Sequence, residues 1–254
     1  MTAPAPITYD ESCVDVDGRS VRYLKAGEGD LLVWLHHGGG LFPSAGTDLL
    51  TDSFQVLAPE LPGFGSSADQ RSPSGFDELS EQVAATLQAL GPTRYVLHGT
   101  SFGGAVALHL ALNHPDRVMR LILESPSAFR PLGWTPPDLE TVRRGMFRHP
   151  ERARRMQTDP EIQRRDRELV NRLSTTVDRD ALAARLESLT VPTLVIFGDS
   201  DVLVPPELAS MYTENAPDCA SVLIPDAAHF VGSDQPERYA DAVRGFATSG
   251  RVSV

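Results

Sequence analysis

Short β-rich runs alternate with amphipathic helical runs along most of this 254-residue chain. Such alternation is typical of a sheet whose faces are covered by helices, so the pattern predicts an α/β fold. The first two runs are joined through Asp17-Gly18, a dipeptide that favours a tight hairpin turn. The pattern predicts eight strands, over residues 12–16, 20–24, 31–35, 54–58, 95–97, 118–123, 193–197 and 221–224. Apolar residues at helical spacing predict helices over residues 76–90 and 236–246.

The segment from 131 to 190 breaks this alternation. It contains no strand-like run and opens with the proline-rich stretch Trp134-Thr-Pro-Pro137. We therefore expect a helical insertion at 131–190 between two core segments, 1–130 and 191–254. Four apolar side chains of the insertion form either a roof over a cleft or packing within the insertion itself: Trp134, Met146, Phe147 and Met156.

Arginine recurs through the insertion. The positions are Arg143, Arg144, Arg148, Arg152, Arg154, Arg155, Arg164, Arg165, Arg167, Arg172, Arg179 and Arg185. Most have an acidic residue three or four positions away, as Glu161 has with Arg164 and Arg165. That spacing favours a solvated helical face with weak ion pairs. The alternative is that one or two arginines line a cleft and attract a substrate carboxylate.

Composition excludes several classes of protein. The formal charge is -11 and the isoelectric point is near 5.0, so the surface would repel nucleic-acid phosphates and anionic lipid. No run approaches the roughly 18 apolar residues of a membrane span, and the N-terminus lacks the pattern of a secretory signal. Cys13 and Cys219 lie far apart without metal-type spacing. We expect a cytoplasmic protein that uses no metal or cofactor.

The pentapeptide Gly99-Thr100-Ser101-Phe102-Gly103 stands between a predicted strand and a helix-like run at 105–112. A serine on such a sharp turn is pushed into a cleft, and glycines on either side let strand and helix approach closely. The pentapeptide therefore makes Ser101 a candidate nucleophile. A serine hydroxyl needs an adjacent base, and that base needs an acid to orient it.

His229 is the candidate base. It follows the last predicted strand and precedes the last predicted helix, where a strand end would carry an imidazole to the edge of the sheet. The other histidines after Ser101 are weaker candidates. His109 and His114 belong to the helix that follows the turn at 99–103, called the elbow below, and to the end of that helix, and His149 lies in the insertion.

Three carboxylates are candidates for the acid. Asp199 and Asp201 follow the predicted strand 193–197, where one can brace the turn while the other reaches the histidine. Glu124 ends another strand, and its plainer interpretation is a brace at the entry to the insertion.

A glycine-rich loop, His36-His37-Gly38-Gly39-Gly40, follows the predicted strand 31–35. Glycines leave backbone N–H groups uncovered, and one such donor aimed at a developing oxyanion contributes about 3 to 4 kcal/mol of transition-state stabilisation. We expect Gly38 or Gly39 to supply one donor and the N–H of Phe102 to supply the second. No phosphate-binding glycine motif is present.

With these pieces in this order, the chain resembles the α/β-hydrolase superfamily. The matching segments are His36-His-Gly-Gly-Gly40, Glu60-Leu-Pro-Gly-Phe-Gly-Ser66, Gly99-Thr-Ser-Phe-Gly103, Gly198-Asp-Ser-Asp201 and Ala228-His229. The resemblance implies a mostly parallel eight-stranded sheet flanked by helices, with 131–190 as a helical cap. It also implies Ser101 as nucleophile, His229 as base and Asp201 as acid, with Asp199 as a turn residue. Because Ser101 is not aspartate, epoxide hydrolases and haloalkane dehalogenases match poorly.

Two departures from the family pattern concern the site. The family usually has a single His-Gly after the strand, whereas this chain has His36 and His37, one of which braces the loop while the other faces the cleft, or both of which are structural. Carbon-carbon bond hydrolases commonly carry tryptophan next to the catalytic histidine, whereas this chain has Phe230.

These observations predict a serine hydrolase that cleaves an ester, a lactone or a similar small carbonyl substrate through an acyl-enzyme on Ser101. Small carboxylesterases and carbon-carbon bond hydrolases are the nearest look-alikes. The alternatives are a carbon-carbon bond hydrolase of a vinylogous diketo acid, a cofactor-free lyase that uses the same pocket, and a binding protein without catalysis. The sequence leaves open whether the protein is a monomer or a homo-oligomer.

Overall fold

A computed structural model describes residues 7–67, 73–129, 145–154 and 159–250. The strands are β1 (Asp10–Val16), β2 (Arg19–Ala26), β3 (Asp30–Leu35), β4 (Phe54–Pro59), β5 (Tyr95–Thr100), β6 (Val118–Glu124), β7 (Thr193–Gly198) and β8 (Cys219–Ile224). The α-helices of the described residues are α1 (Ala45–Leu50), α2 (Phe76–Leu90), α3 (Phe102–Asn113), α4 (Pro160–Ser174), α5 (Arg179–Leu186), α6 (Ala209–Thr213), α7 (Val231–Asp234) and α8 (Pro236–Ser249).

The strands form one sheet in the order β1-β2-β4-β3-β5-β6-β7-β8. β1, β2 and β4 pair antiparallel, and every later pairing is parallel. Asp17 and Gly18 both have positive φ, at 53° and 79°, as expected for the tight hairpin between β1 and β2. The predicted α/β fold with a mostly parallel eight-stranded sheet is confirmed.

Two apolar clusters cover the two faces of the sheet. α2, α3, α4 and α5 bury their apolar residues on one face, and α1 and α8 bury theirs on the other. Burial of a leucine-sized side chain is worth about 1.5 to 3 kcal/mol, so both clusters hold the sheet rigid. The carboxyl ends of β3, β5, β6, β7 and β8 meet at one edge, which is where open α/β sheets bind ligands.

Two helices, α4 and α5, lie in the described part of the insertion, whereas residues 147–154 form turns and bends. α4 and α5 bury Leu169, Leu173, Leu182 and Leu186 in the same cluster as α2 and α3, so these helices pack on the core. Trp134 and Met156, like Arg143, Arg144 and Arg155, lie outside the described residues.

Many arginines of the insertion bind partners that lie outside their own helix. Arg164 does pair with Glu161 and Glu168 along its own helix. Many others cross to the core instead: Arg148 to Asp226, Arg152 to the Asp234 carbonyl, Arg154 to Asp48 and the Pro43 carbonyl, Arg165 to the Gly65 carbonyl, Arg172 to the Pro73 carbonyl, and Arg185 to Asp77. Their partners thus lie outside the i, i+3 and i, i+4 spacing, although exposed pairs such as Arg148 with Asp226 keep the expected solvated character.

Candidate active site

Ser101 lies on a strained turn between β5 and α3, with φ 54° and ψ -111°. Positive φ costs energy for a residue with a side chain, and such strain is typical of functional turns. A Cβ on Gly99 would lie 2.7 Å from the Gly103 carbonyl carbon, and a Cβ on Gly103 would lie 2.7 Å from the carbonyl carbon of Leu35. Only glycine therefore fits at either position, and the turn presents the serine at the sheet edge.

His229 lies between β8 and α7 and reaches the serine. Its Nε2 is 2.8 Å from the Ser101 Oγ, and its Nδ1 is 2.8 Å from Asp201 Oδ2. All three side chains are buried. A carboxylate at Nδ1 requires the proton on that nitrogen, which leaves Nε2 able to accept the serine proton.

Asp201 is fixed by more than the histidine. Its Oδ1 accepts hydrogen bonds from the backbone N–H groups of Leu203, at 2.8 Å, and Val204, at 2.9 Å. Burial by itself raises the pKa of the Asp201 carboxyl, but His229 and these two amides outweigh burial and hold that pKa below its usual range. The carboxyl therefore stays ionised at neutral pH.

Among the described residues, the other two acid candidates form no hydrogen bond to the imidazole. Asp199 is exposed and accepts hydrogen bonds from Ser200 Oγ and the Ala227 N–H, which is the turn role proposed for it. Glu124 is buried, and its carboxylate accepts hydrogen bonds from Thr100 Oγ1 and the Gly232 N–H, both at 2.8 Å. Burial raises the pKa of Glu124. Its contacts are those of a brace beneath the sheet edge.

The loop after β3 brings glycine next to the elbow. The Gly39 N–H donates to His37 Nδ1 at 3.0 Å, so this amide is already used. Across the described residues, the N–H groups of Gly38 and Phe102 have no acceptor. A Cβ on Gly38 would lie 3.6 Å from Phe102 Cβ, so the two segments are neighbours.

The two histidines of this loop have separate surroundings. His36 accepts a hydrogen bond from the Leu61 N–H at Nε2 and contacts the His37 carbonyl through Nδ1, so it braces two loops. The His37 ring packs 4.6 Å from the ring of Phe230. Burial, together with the charges of His36 and His229, lowers the pKa of His37 to about 3, and burial lowers that of His36 to about 4. Both rings are therefore neutral at pH 7.

Aromatic and aliphatic side chains surround the imidazole of His229. The Phe230 ring lies 5.1 Å from the His229 ring and 5.0 Å from that of Phe147, which belongs to the insertion. Val170 of α4 sits directly over Gly38, where an added Cβ would come within 2.9 Å of it. The described surroundings of the histidine and the glycine loop are thus largely apolar.

Sequence reasoning missed two buried carboxylates that shape this edge. Glu60 accepts hydrogen bonds from the backbone and hydroxyl groups of Ser66 and Ser67 and pairs with Arg22. Glu60 and Ser66 belong to a motif that the sequence displays, but the motif does not show that the Glu60 carboxylate binds the serine. Asp234 binds backbone N–H groups, for which no side-chain pattern exists in a sequence.

Neither a metal-binding cluster nor a membrane-spanning helix occurs in the described part of the chain. No group of three or more His, Cys, Asp and Glu residues among them is arranged to hold a metal ion. Within the same residues, no helix has both the length and the apolar character needed to cross a membrane.

The chain is similar to known proteins in sequence and in fold. The sequence model of an alpha/beta hydrolase family matches residues 32–242. The pimeloyl-(acyl-carrier protein) methyl ester esterase of Yersinia enterocolitica is 32% identical, over 87% of this chain and 95% of the relative. The 2-hydroxy-6-oxononadienedioate/2-hydroxy-6-oxononatrienedioate hydrolase of Pseudomonas sp is 25% identical, over 89% of this chain and 91% of the relative.

A solved structure shares the fold at lower identity. The 2-hydroxy-6-oxo-6-phenylhexa-2,4-dienoate hydrolase of Rhodococcus sp. strain RHA1 aligns with a TM-score of 0.74 and 22% identity, over 91% of this chain and 96% of that chain. At that identity the likeness concerns the fold alone.

Proposed function

The chain belongs to the α/β-hydrolase family, and we propose that this serine hydrolase cleaves carboxylic esters through an acyl-enzyme on Ser101. The observation that carries the proposal is the continuous hydrogen-bonded chain from Ser101 Oγ through His229 to Asp201, with both contacts at 2.8 Å. Such a chain activates a serine hydroxyl for attack on a carbonyl carbon.

In the proposed acylation step, His229 Nε2 takes the Ser101 proton as Oγ attacks the ester carbonyl. The Asp201 carboxylate keeps the proton on Nδ1 and stabilises the imidazolium that forms. The N–H groups of Gly38 and Phe102 donate to the oxyanion, since the Gly39 N–H is bound to His37. The tetrahedral intermediate then collapses, and the leaving alcohol takes the proton from His229.

Deacylation repeats the sequence with water. His229 removes a proton from a water molecule, which attacks the acyl carbonyl, and the same two N–H groups receive the second oxyanion. Collapse returns the proton to Ser101 and releases the carboxylic acid. One ester and one water molecule thus give one carboxylic acid and one alcohol, and the free enzyme is regenerated.

The substrate is proposed to be a small molecule that lies beneath the insertion at 131–190, acting as a cap. Val170 lies over Gly38 and Phe147 packs against Phe230, which favours an uncharged, apolar group next to the reacting carbonyl. We propose a cytoplasmic location, where the free cysteines Cys13 and Cys219 would stay reduced.

The test is hydrolysis of p-nitrophenyl esters of graded acyl length by the wild type and by Ser101→Ala. We expect the variant to lose activity while its melting temperature stays close to that of the wild type. A fluorophosphonate should add one covalent group to the wild type, at Ser101, in intact-mass measurement. Ester hydrolysis by Ser101→Ala at the wild-type rate would contradict the proposal.

Carbon-carbon bond hydrolysis is the second candidate. Phe230 packs against the catalytic imidazole at the position where a ring could face an aromatic substrate, and one relative is named as a hydrolase of 2-hydroxy-6-oxononadienedioate. Assay of a vinylogous diketo acid beside the esters separates the two reactions. A lyase without an acyl-enzyme would turn over substrate yet yield no mass adduct during turnover.

A further inference from the structure

Asp234 is a fully buried carboxylate that lies five residues after His229, in α7. Its Oδ2 accepts hydrogen bonds from the N–H groups of Ala228, at 2.8 Å, and Arg148, at 2.9 Å. Its Oδ1 accepts from the N–H of His149 at 2.9 Å. One carboxylate therefore joins the residue that precedes His229 to two backbone groups of the insertion.

A second set of contacts runs beside this carboxylate. The Phe230 N–H donates to the Met146 carbonyl at 3.1 Å, and the Arg152 guanidinium donates to the Asp234 carbonyl. These bonds hold the Phe147 ring against the Phe230 ring, which contacts the His229 ring. The short segment 145–149 is thus tied to both sides of the histidine.

A carboxylate suits this position because all three partners are donors. An ionised carboxyl has two acceptor oxygens and no proton to donate, and its hydrogen bonds are stronger than neutral ones. Asparagine has nearly the same shape but only one acceptor oxygen. Its amino group would face at least one backbone N–H, which would break that contact and leave buried donors unpaired.

We propose that Asp234 is a positioning residue that holds His229 within reach of Ser101 by tying its loop to segment 145–149 of the insertion. The inference rests on the proposed roles of Ser101 and His229. Asp234 touches neither of those side chains, so it acts through the loop backbone and through the aromatic contact of Phe147 with Phe230.

The test compares Asp234→Asn with a matched control, Asp226→Asn. Asp226 binds the side chains of the same two residues, Arg148 and His149, but at an exposed position. Its φ is 58°, a conformation that asparagine tolerates. The control therefore removes a charge that binds side chains of segment 145–149, and it leaves the hydrogen bonds to the backbone of that segment in place.

Two rates are measured at a temperature where every variant is fully folded. They are kcat for an ester and the rate of fluorophosphonate labelling at Ser101, which reports activation of the serine without substrate recognition. We expect Asp234→Asn to lower both by roughly tenfold, the effect of losing about 1.4 kcal/mol of positioning, and Asp226→Asn to leave both within about twofold. A lower melting temperature with unchanged rates would overturn the inference.

The wild type offers a second measurement in case Asp234→Asn does not fold. Hydrogen exchange should find the amides of Ala228, Arg148 and His149 protected and opening together. Free exchange at Arg148 and His149 with Ala228 still protected would overturn the tether. Absence of labelling at Ser101 in the wild type would instead contradict the proposed function, whereas equal labelling of wild type and Asp234→Asn would contradict the tether alone.

Discussion

Replacement of Asp201 by asparagine is expected to leave His229 with its proton on the wrong nitrogen. The N–H groups of Leu203 and Val204 both point at Oδ1, so the single oxygen of asparagine must take that position. The amino group then occupies the place of Oδ2, 2.8 Å from His229 Nδ1. Because an amino group donates, Nδ1 must accept, and the ring proton moves to Nε2.

An Nε2 that carries a proton cannot take another from Ser101, so we expect kcat for ester hydrolysis to fall by roughly 10⁴, the loss typical of a reversed imidazole in a serine triad. Nitrogen NMR of His229 labelled at its ring provides the direct check. Asp199→Asn and Glu124→Gln are the controls and should hydrolyse ester at close to the wild-type rate. A loss below tenfold for Asp201→Asn, or Nδ1 still protonated, would refute the argument.

Three further predictions concern the loop, the elbow and a surface pair. His37→Leu should lower kcat more than it changes KM, because the Gly39 N–H loses its acceptor, whereas His37→Asn should recover part of the rate. In chemical denaturation, Gly103→Ala should lower the free energy of unfolding several times more than Gly75→Ala does. Of these two positions, Gly103 is the one where an added Cβ would collide with backbone atoms. Burial raises the pKa of Asp77, but His109 and Arg185 outweigh burial and lower that pKa to about 2. Because the pair is exposed, Asp77→Asn should lower the free energy of unfolding at pH 7 by under ~1 kcal/mol. That difference should shrink as the pH falls from about 4 towards 2 in urea titrations.

Much of the sheet and of the site could be predicted from local patterns. Ser101, Asp201 and His229 each follow a β-rich run, and the carboxyl ends of parallel strands meet at one edge, so their proximity follows from the topology. The glycines around Ser101 mark a close approach that only a side chain of a single hydrogen allows.

The arginines could not be predicted in the same way. A sequence displays neighbours three or four positions apart on a helix, whereas Arg154 pairs with Asp48, which lies 106 positions away. The choice between Gly38 and Gly39 depends on where His37 Nδ1 points, and that is a rotamer. Contacts of this kind depend on tertiary packing, which the local pattern does not contain.

The hydrogen bonds of Asp234 also determine where the boundary of a chimera between this protein and a relative should lie. If the whole 131–190 segment were exchanged for that of a relative, Arg148 and His149 would be replaced together with the backbone N–H groups that bind Asp234. A chimera joined after His149 would keep those groups and still receive a new α4 and α5. The useful boundary for exchanging substrate preference thus lies inside the insertion, after the residues that Asp234 ties to the His229 loop.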